Sequence, residues 1–130
     1  KMVPVLTEKG TLAGGNVLRL IERVLDAPSN MWGYAQVRAD GGFIGASPEL
    51  LFRVHGDELE TMALAGTAKP GNQDAFLNDV KEIEEHELVV RYLLDRLGEM
   101  GEVIRDPRGL CRTSGLVHFQ SRLRVRLSSA

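Results

Sequence analysis

Cysteine is nearly absent from this chain: Cys111 stands alone among 130 residues, so no intramolecular disulfide can form and a reducing compartment is expected. There is no run of about 18 apolar residues, which argues against a membrane-spanning helix. No charged-then-apolar leader opens the sequence, and a cytoplasmic protein without a membrane partner is expected. Nor is there a strong excess of one charge. Lysine and arginine number 16 against 18 acids, and a net charge of −2 gives no general attraction to nucleic acid. Internal repeats and low-complexity tracts are also missing. With 43% hydrophobic residues the chain can bury one core, so a single unit over residues 1–130 is expected.

The charge that is present is unevenly placed. Glu82, Glu84, Glu85 and Glu87 crowd the middle, while Arg105, Arg108, Arg112, Arg122, Arg124 and Arg126 lie near the end. Lys1 to Leu6 reads as a short edge strand, because Pro4 cannot donate to a ladder. Val17, Leu18, Leu20, Ile21, Val24 and Leu25 recur at helical spacing behind a cap at Asn16, predicting a core-packed helix over 15–26. From Met31 the period falls to two. Strands are predicted over 31–37 and 43–46, joined through Ala39-Asp40-Gly41-Gly42, with Trp32 and Tyr34 as core aromatics. A second hairpin is predicted from 50–54 and 59–64 around His55-Gly56-Asp57-Glu58. A long helix over 74–99 follows, with Phe76, Leu77, Val80, Ile83, Leu88, Val90, Leu93, Leu94 and Leu97 as its buried stripe. After a polar loop at 105–109, residues 116–127 alternate cleanly, with Val117, Phe119, Leu123, Val125 and Leu127 on one face. The expected fold is α+β, an antiparallel β-sheet flanked by two helices.

Three places carry chemistry. The strand ending Ala63-Leu64-Ala65 runs into a Gly66-Thr67 turn, where a glycine lets backbone N–H groups approach an anion. Glu49, between Pro48 and apolar Leu50, Leu51 and Phe52, has its neutral form favoured by desolvation, which suits a general acid. The four central glutamates repel one another unless solvated or bound to cations. Lys81 and Glu85, four apart, also have the spacing of an intrahelical pair.

In order, Ser47-Pro48-Glu49, Ala65-Gly66-Thr67 and Lys81-Glu82-Ile83-Glu84-Glu85-His86 resemble the motifs of the chorismate-utilising enzymes. That family includes isochorismate and salicylate synthases, anthranilate synthase component I and aminodeoxychorismate synthase component I. The likeness runs from Lys1 to about Ser121, and it implies part of a two-sheet chorismate-binding sandwich. By resemblance, Lys1 is the base that activates water and Glu49 is the acid that protonates the departing hydroxyl. Glu85 is the ligand of Mg²⁺, and Ala65, Gly66, Thr67 and His118, with Ser121 three residues on, lie against chorismate. Aminodeoxychorismate synthases often carry a nucleophilic lysine immediately before Gly-Thr. Ala65 holds that position here, and its surroundings are more similar to isochorismate synthases.

The implied reaction is addition of water at C2 of chorismate with loss of the C4 hydroxyl. Two alternatives remain open: an ammonia-using synthase with a glutamine amidotransferase subunit, and a non-catalytic fragment. The family's Tyr-Tyr-Gly-Gly segment, its carboxylate-clamping arginine and its second metal-binding glutamate have no match in these residues. The sequence therefore reads as the N-terminal half of a catalytic domain, with the C-terminal half as its expected partner. The arginine row at 122–126 departs from the family pattern. It fits a solvated face, an acid-binding stripe, or a strand whose neighbour is missing.

Overall fold

The computed structural model describes residues 16–26, 31–113 and 115–128. The strand expected at 1–6, with Lys1, lies outside them. Helix α1 (Asn16–Leu25) precedes a two-stranded antiparallel sheet of β1 (Trp32–Arg38) and β2 (Gly41–Ser47). A five-stranded antiparallel sheet contains β3 (Arg53–His55), β4 (Glu58–Ala68), β5 (Gly101–Arg105), β6 (Gly109–Thr113) and β7 (Leu116–Leu127). Between β4 and β5 run α2 (Gln73–Leu77) and α3 (Val80–Gly98). The α+β architecture expected from the sequence is the one observed, and α3 covers one face of the larger sheet.

β7 is the centre of that sheet. Its strict period of two buries Val117, Phe119, Ser121, Leu123 and Val125 and turns the intervening residues outward. β4 pairs along one edge, and β5 and β6 follow one another along the other. Both edges of β7 are thus occupied, which excludes the one of the three readings of the arginine row in which this strand lacks a neighbour. The arginine row is a solvated face supplied with acids. Arg124 donates to Asp106 at 2.7 Å, while Arg122 lies 3.9 Å from Glu60 and Arg126 lies 3.6 Å from Asp57.

The buried face packs in two clusters. Ala63, Val90 and Leu123 meet Val89, Leu93, Leu94, Leu97 and Val103, whereas Phe76, Val117 and Phe119 meet Ala68, Ile83 and Leu110. Phe76 stacks on Phe119 with centroids 4.1 Å apart.

Several local expectations change. The helix predicted over 74–99 is broken at Asn78-Asp79. Asn78 Nδ2 donates to the Asp74 carbonyl at 2.8 Å, and Asp79 caps α3 by accepting from the Glu82 N–H at 3.2 Å. Within α3 the face toward the sheet carries Ile83, His86, Val90, Leu93, Leu94 and Leu97, so Leu88, on another face, is exposed, as are Leu77 and Val80 beside the break. In the second hairpin only Arg53–His55 is a strand before the turn. Leu50 and Leu51 lie outside any strand, and Thr61 Oγ1 donates to the Leu51 carbonyl at 2.7 Å. Arg105 belongs to β5 rather than to a loop, and β6 was not anticipated. Trp32 and Tyr34 are 38% and 49% exposed, so they are not core aromatics. Val17, Leu18 and Leu25 of α1 are exposed as well.

Candidate functional site

The Gly-Thr turn expected after Ala65 is a β-bulge inside a longer strand. β4 continues through Gly66 to Ala68, and the β4–β7 register slips between Ala65 and Thr67. Gly66 has φ +76°, and a Cβ there would come within 2.9 Å of the Glu82 carbonyl oxygen and 3.1 Å of Phe119 Cδ2. Glycine is therefore needed both for the left-handed backbone and for the close approach of α3. The bulge moves Ala65 and Thr67 to different faces: Ala65 pairs with Phe119 on the α3 side, and Thr67 pairs with His118 on the other.

Thr67 and His118 are held tightly. Thr67 N–H donates to Glu82 Oε2 at 2.8 Å, and Lys81 pairs with the same carboxylate. His118 Nδ1 lies 3.2 Å from the Gly66 carbonyl and 3.2 Å from Thr67 Oγ1, and its Nε2 lies 3.2 Å from Thr113 Oγ1. A carbonyl only accepts, so Nδ1 carries a proton, and in the neutral ring Nε2 accepts from the Thr113 hydroxyl. Gly66, Thr67 and His118, named from the sequence as substrate-contacting, thus form one hydrogen-bonded cluster. β6, which supplies Thr113, completes it.

Glu49 sits apart from this cluster, in the bend before Leu50. Its N–H donates to Ser47 Oγ at 3.1 Å, a local turn bond that fixes the Ser-Pro-Glu segment. Part of the side chain is open to solvent, yet the carboxyl is crowded enough that desolvation pushes its pKa above 4.5. A backbone hydrogen bond from Leu64 acts in the other direction, and desolvation outweighs it. That contact brings Glu49 to the strand that leads into the bulge. On its other side Glu49 borders a cavity of about 870 Å³ shared with Trp32, Tyr34, Phe52, Met62 and Tyr92.

Glu85 stands three residues after Glu82 on α3, hence on the same helical face, and the Lys81 ammonium feels the charge of both. Magnesium takes a few carboxylates together with waters and substrate oxygens. Among the described residues no three His, Cys, Asp or Glu side chains gather. The Glu82 carboxylate is already engaged by the Thr67 N–H and Lys81, so Glu85 and Glu82 do not by themselves make up a metal-binding set.

Sequence reasoning missed a second polar group behind the bulge. Arg105 holds Glu87 through two bonds, of 2.9 and 2.7 Å, which keep the Glu87 carboxyl below its usual range. Arg108 approaches the same carboxylate at 3.4 Å and lies 4.8 Å over the Phe119 ring. His86, fully buried, has Nε2 3.0 Å from Ser121 Oγ. Burial first, then Arg105 and Arg108, lower its pKa against the opposing charge of Glu87. Ser121 itself was detectable, as a polar residue in the buried phase of β7.

A family model described as chorismate binding enzyme matches residues 13–130. The salicylate biosynthesis isochorismate synthase of Pseudomonas aeruginosa is 36% identical over 107 residues, which are 75% of this chain and 22% of that protein. Anthranilate synthase component 1 of Leptospira biflexa is 36% identical over 98 residues, 66% of this chain and 21% of that protein. Among solved structures, MenF, the menaquinone-specific isochorismate synthase from Escherichia coli, superposes with a TM-score of 0.61 at 30% identity. The match covers 68% of this chain and 23% of MenF. The chain thus spans less than a quarter of the length of these proteins. No helix among the described residues is long and apolar enough to cross a membrane.

Proposed function

We propose, from the premise that this chain belongs to the family of chorismate binding enzymes, that it supplies part of an isochorismate synthase-type site in which water adds at C2 of chorismate and the C4 hydroxyl departs. The observation that carries this reading is Glu49. Its carboxyl is shifted toward the neutral form by desolvation and is tied through Leu64 to the strand that bears Ala65, Gly66 and Thr67. A carboxyl biased in this way can donate a proton to a departing hydroxyl near neutral pH. Lys1, outside the described residues, would take the proton from the attacking water, so that one water enters and one leaves.

Ala65 in place of a lysine supports addition of water without a covalent ring adduct. Gly66, Thr67 and His118 would contact the substrate, and His118 is already oriented by Gly66 and Thr113. Glu85 would hold Mg²⁺, which supplies positive charge to a substrate carboxylate. The resemblance to anthranilate synthase component 1 sustains a second reading, in which ammonia from a glutamine amidotransferase partner replaces water.

The test uses a protein carrying the full family length, incubated with chorismate in isotopically labelled water, with or without ammonia. Label entering the product at C2, and turnover lost in Glu49→Gln with the fold intact, are expected. An aminated product would favour the second reading, and turnover of Glu49→Gln near the parent rate would remove Glu49 from the chemistry.

A further inference from the structure

Gln120 lies between His118 and Arg122 on the outward face of β7. On β4 the residues opposite these three are Thr67, Leu64 and Met62, in that order, so Gln120 and Leu64 occupy the middle of the face. Two residues along a strand place Gln120 about 7 Å from His118. Its neighbour on β6 is Gly109, where a Cβ would meet only the Gln120 carbonyl oxygen, at 4.0 Å. That flank leaves the side chain room to move.

Among the described residues the Gln120 amide makes one side-chain hydrogen bond, from Nε2 to Met62 Sδ at 3.2 Å. A thioether accepts and never donates, so the amide nitrogen and not its oxygen faces the sulfur. The bond is weak, and a charged oxygen would displace it. Met62 is itself 4% exposed and lines the cavity of about 870 Å³ that Glu49 borders. The amide is therefore set between the two parts of the candidate site, with the His118 and Thr67 cluster on one side and the Glu49 cavity on the other. Beyond it, Glu60 is shared between Arg53 and Arg122, which leaves positive charge in excess. An anionic oxygen is favoured there.

We propose that Gln120 is a further substrate-contacting residue, whose amide N–H leaves the Met62 sulfur and donates to a carboxylate oxygen of a ring compound bound between Glu49 and His118. That the ring compound is chorismate rests on the reading given above, whereas the exchange of sulfur for a carboxylate oxygen does not.

The experiment uses a nitrogen-labelled protein carrying the full family length, titrated with chorismate and, separately, with benzoate, a ring carboxylate that has no hydroxyl to lose. The side-chain amide signals of Gln120 are expected to move with both. Gln120→Leu should raise KM for chorismate roughly tenfold, as loss of one hydrogen bond to a charged group does, with kcat changed far less. Gln120→Glu puts a like charge in place of the donor and should raise KM further. Amide signals of Gln120 unmoved by both compounds would overturn the proposal, as would a KM in Gln120→Glu at or below that of Gln120→Leu. Should the variants fail to fold, the titration of the parent protein decides alone. Movement of the Gln120 amide in a protein that leaves chorismate unchanged would sink the isochorismate synthase reading and support this one.

Discussion

Replacing Gly66 by alanine asks two things of the fold at once. The residue sits at φ +76°, where an alanine costs about 1–2 kcal/mol because its Cβ crowds the following carbonyl. The new methyl would also lie 2.9 Å from the Glu82 backbone oxygen and 3.1 Å from Phe119 Cδ2. Neither neighbour can swing away: Glu82 is in the first turn of α3, and Phe119 is clamped between Phe76 and Arg108. Forcing α3 off the sheet adds about 1–3 kcal/mol, the usual cost of overpacking, for a total of about 2–5 kcal/mol. For a chain of this size that lowers Tm by roughly 10 °C.

Gly56→Ala isolates the backbone contribution, since Gly56 has φ +61° with nothing within 4 Å of the position a Cβ would take. It should cost only about 1–2 kcal/mol. Urea unfolding of both variants, followed by circular dichroism, measures the difference. Equal destabilisation of the two would refute the claim that the bulge glycine is required by contact with α3.

Two further perturbations have directions fixed by the charges. For Glu49 the folded pKa lies above the unfolded 4.5, so its ionisation opposes folding as pH rises through the folded value. Glu49→Gln should therefore gain stability relative to the parent between pH 4 and 7 and converge with it in acid; denaturant midpoints across that range check this, and a relative loss at pH 7 would contradict it. For Glu87, held below 4.5 chiefly by the Arg105 bonds, the stabilisation is present above 4.5 and lost as pH falls through the lower folded value. Arg105→Ala should cost about 1.5–3 kcal/mol at neutral pH and flatten that acid loss, as calorimetry at pH 3 and 7 would show.

What was legible in the sequence was whatever a local period or a turn residue decides. The alternation of residues 116–127 located β7 because one face is buried from Val117 to Val125 without interruption. Gly41, and Gly56 with Asp57, placed the hairpins. The Asn78-Asp79 break escaped because the apolar stripe of a helix can be drawn through it, whereas the cap at Asp79 competes locally and wins. β6 escaped for the opposite reason: Gly109-Leu110-Cys111-Arg112-Thr113 has little strand pattern of its own and becomes a strand by pairing with β7. Trp32 and Tyr34 show what a period of two leaves undecided, since it says that two residues share a face and not that anything covers it.

The candidate site lies where these local patterns are violated. Gly66 interrupts the register of β4, and the shift is what sends Thr67 to His118 while Ala65 stays under α3. Ser121 occupies the buried phase of β7, where an apolar residue would have cost nothing, and Arg105 points inward from β5 opposite Leu123. A hydroxyl and a guanidinium in apolar phases demand partners, because an unpaired buried polar group costs about 1–3 kcal/mol. α3 answers with His86 and Glu87 in place of two more leucines. Had the buried face served packing alone, each of those positions would be better filled by an aliphatic side chain. These groups form one polar cluster beside Glu85 on α3, and His86 meets Phe119, the cross-strand partner of Ala65, edge-on.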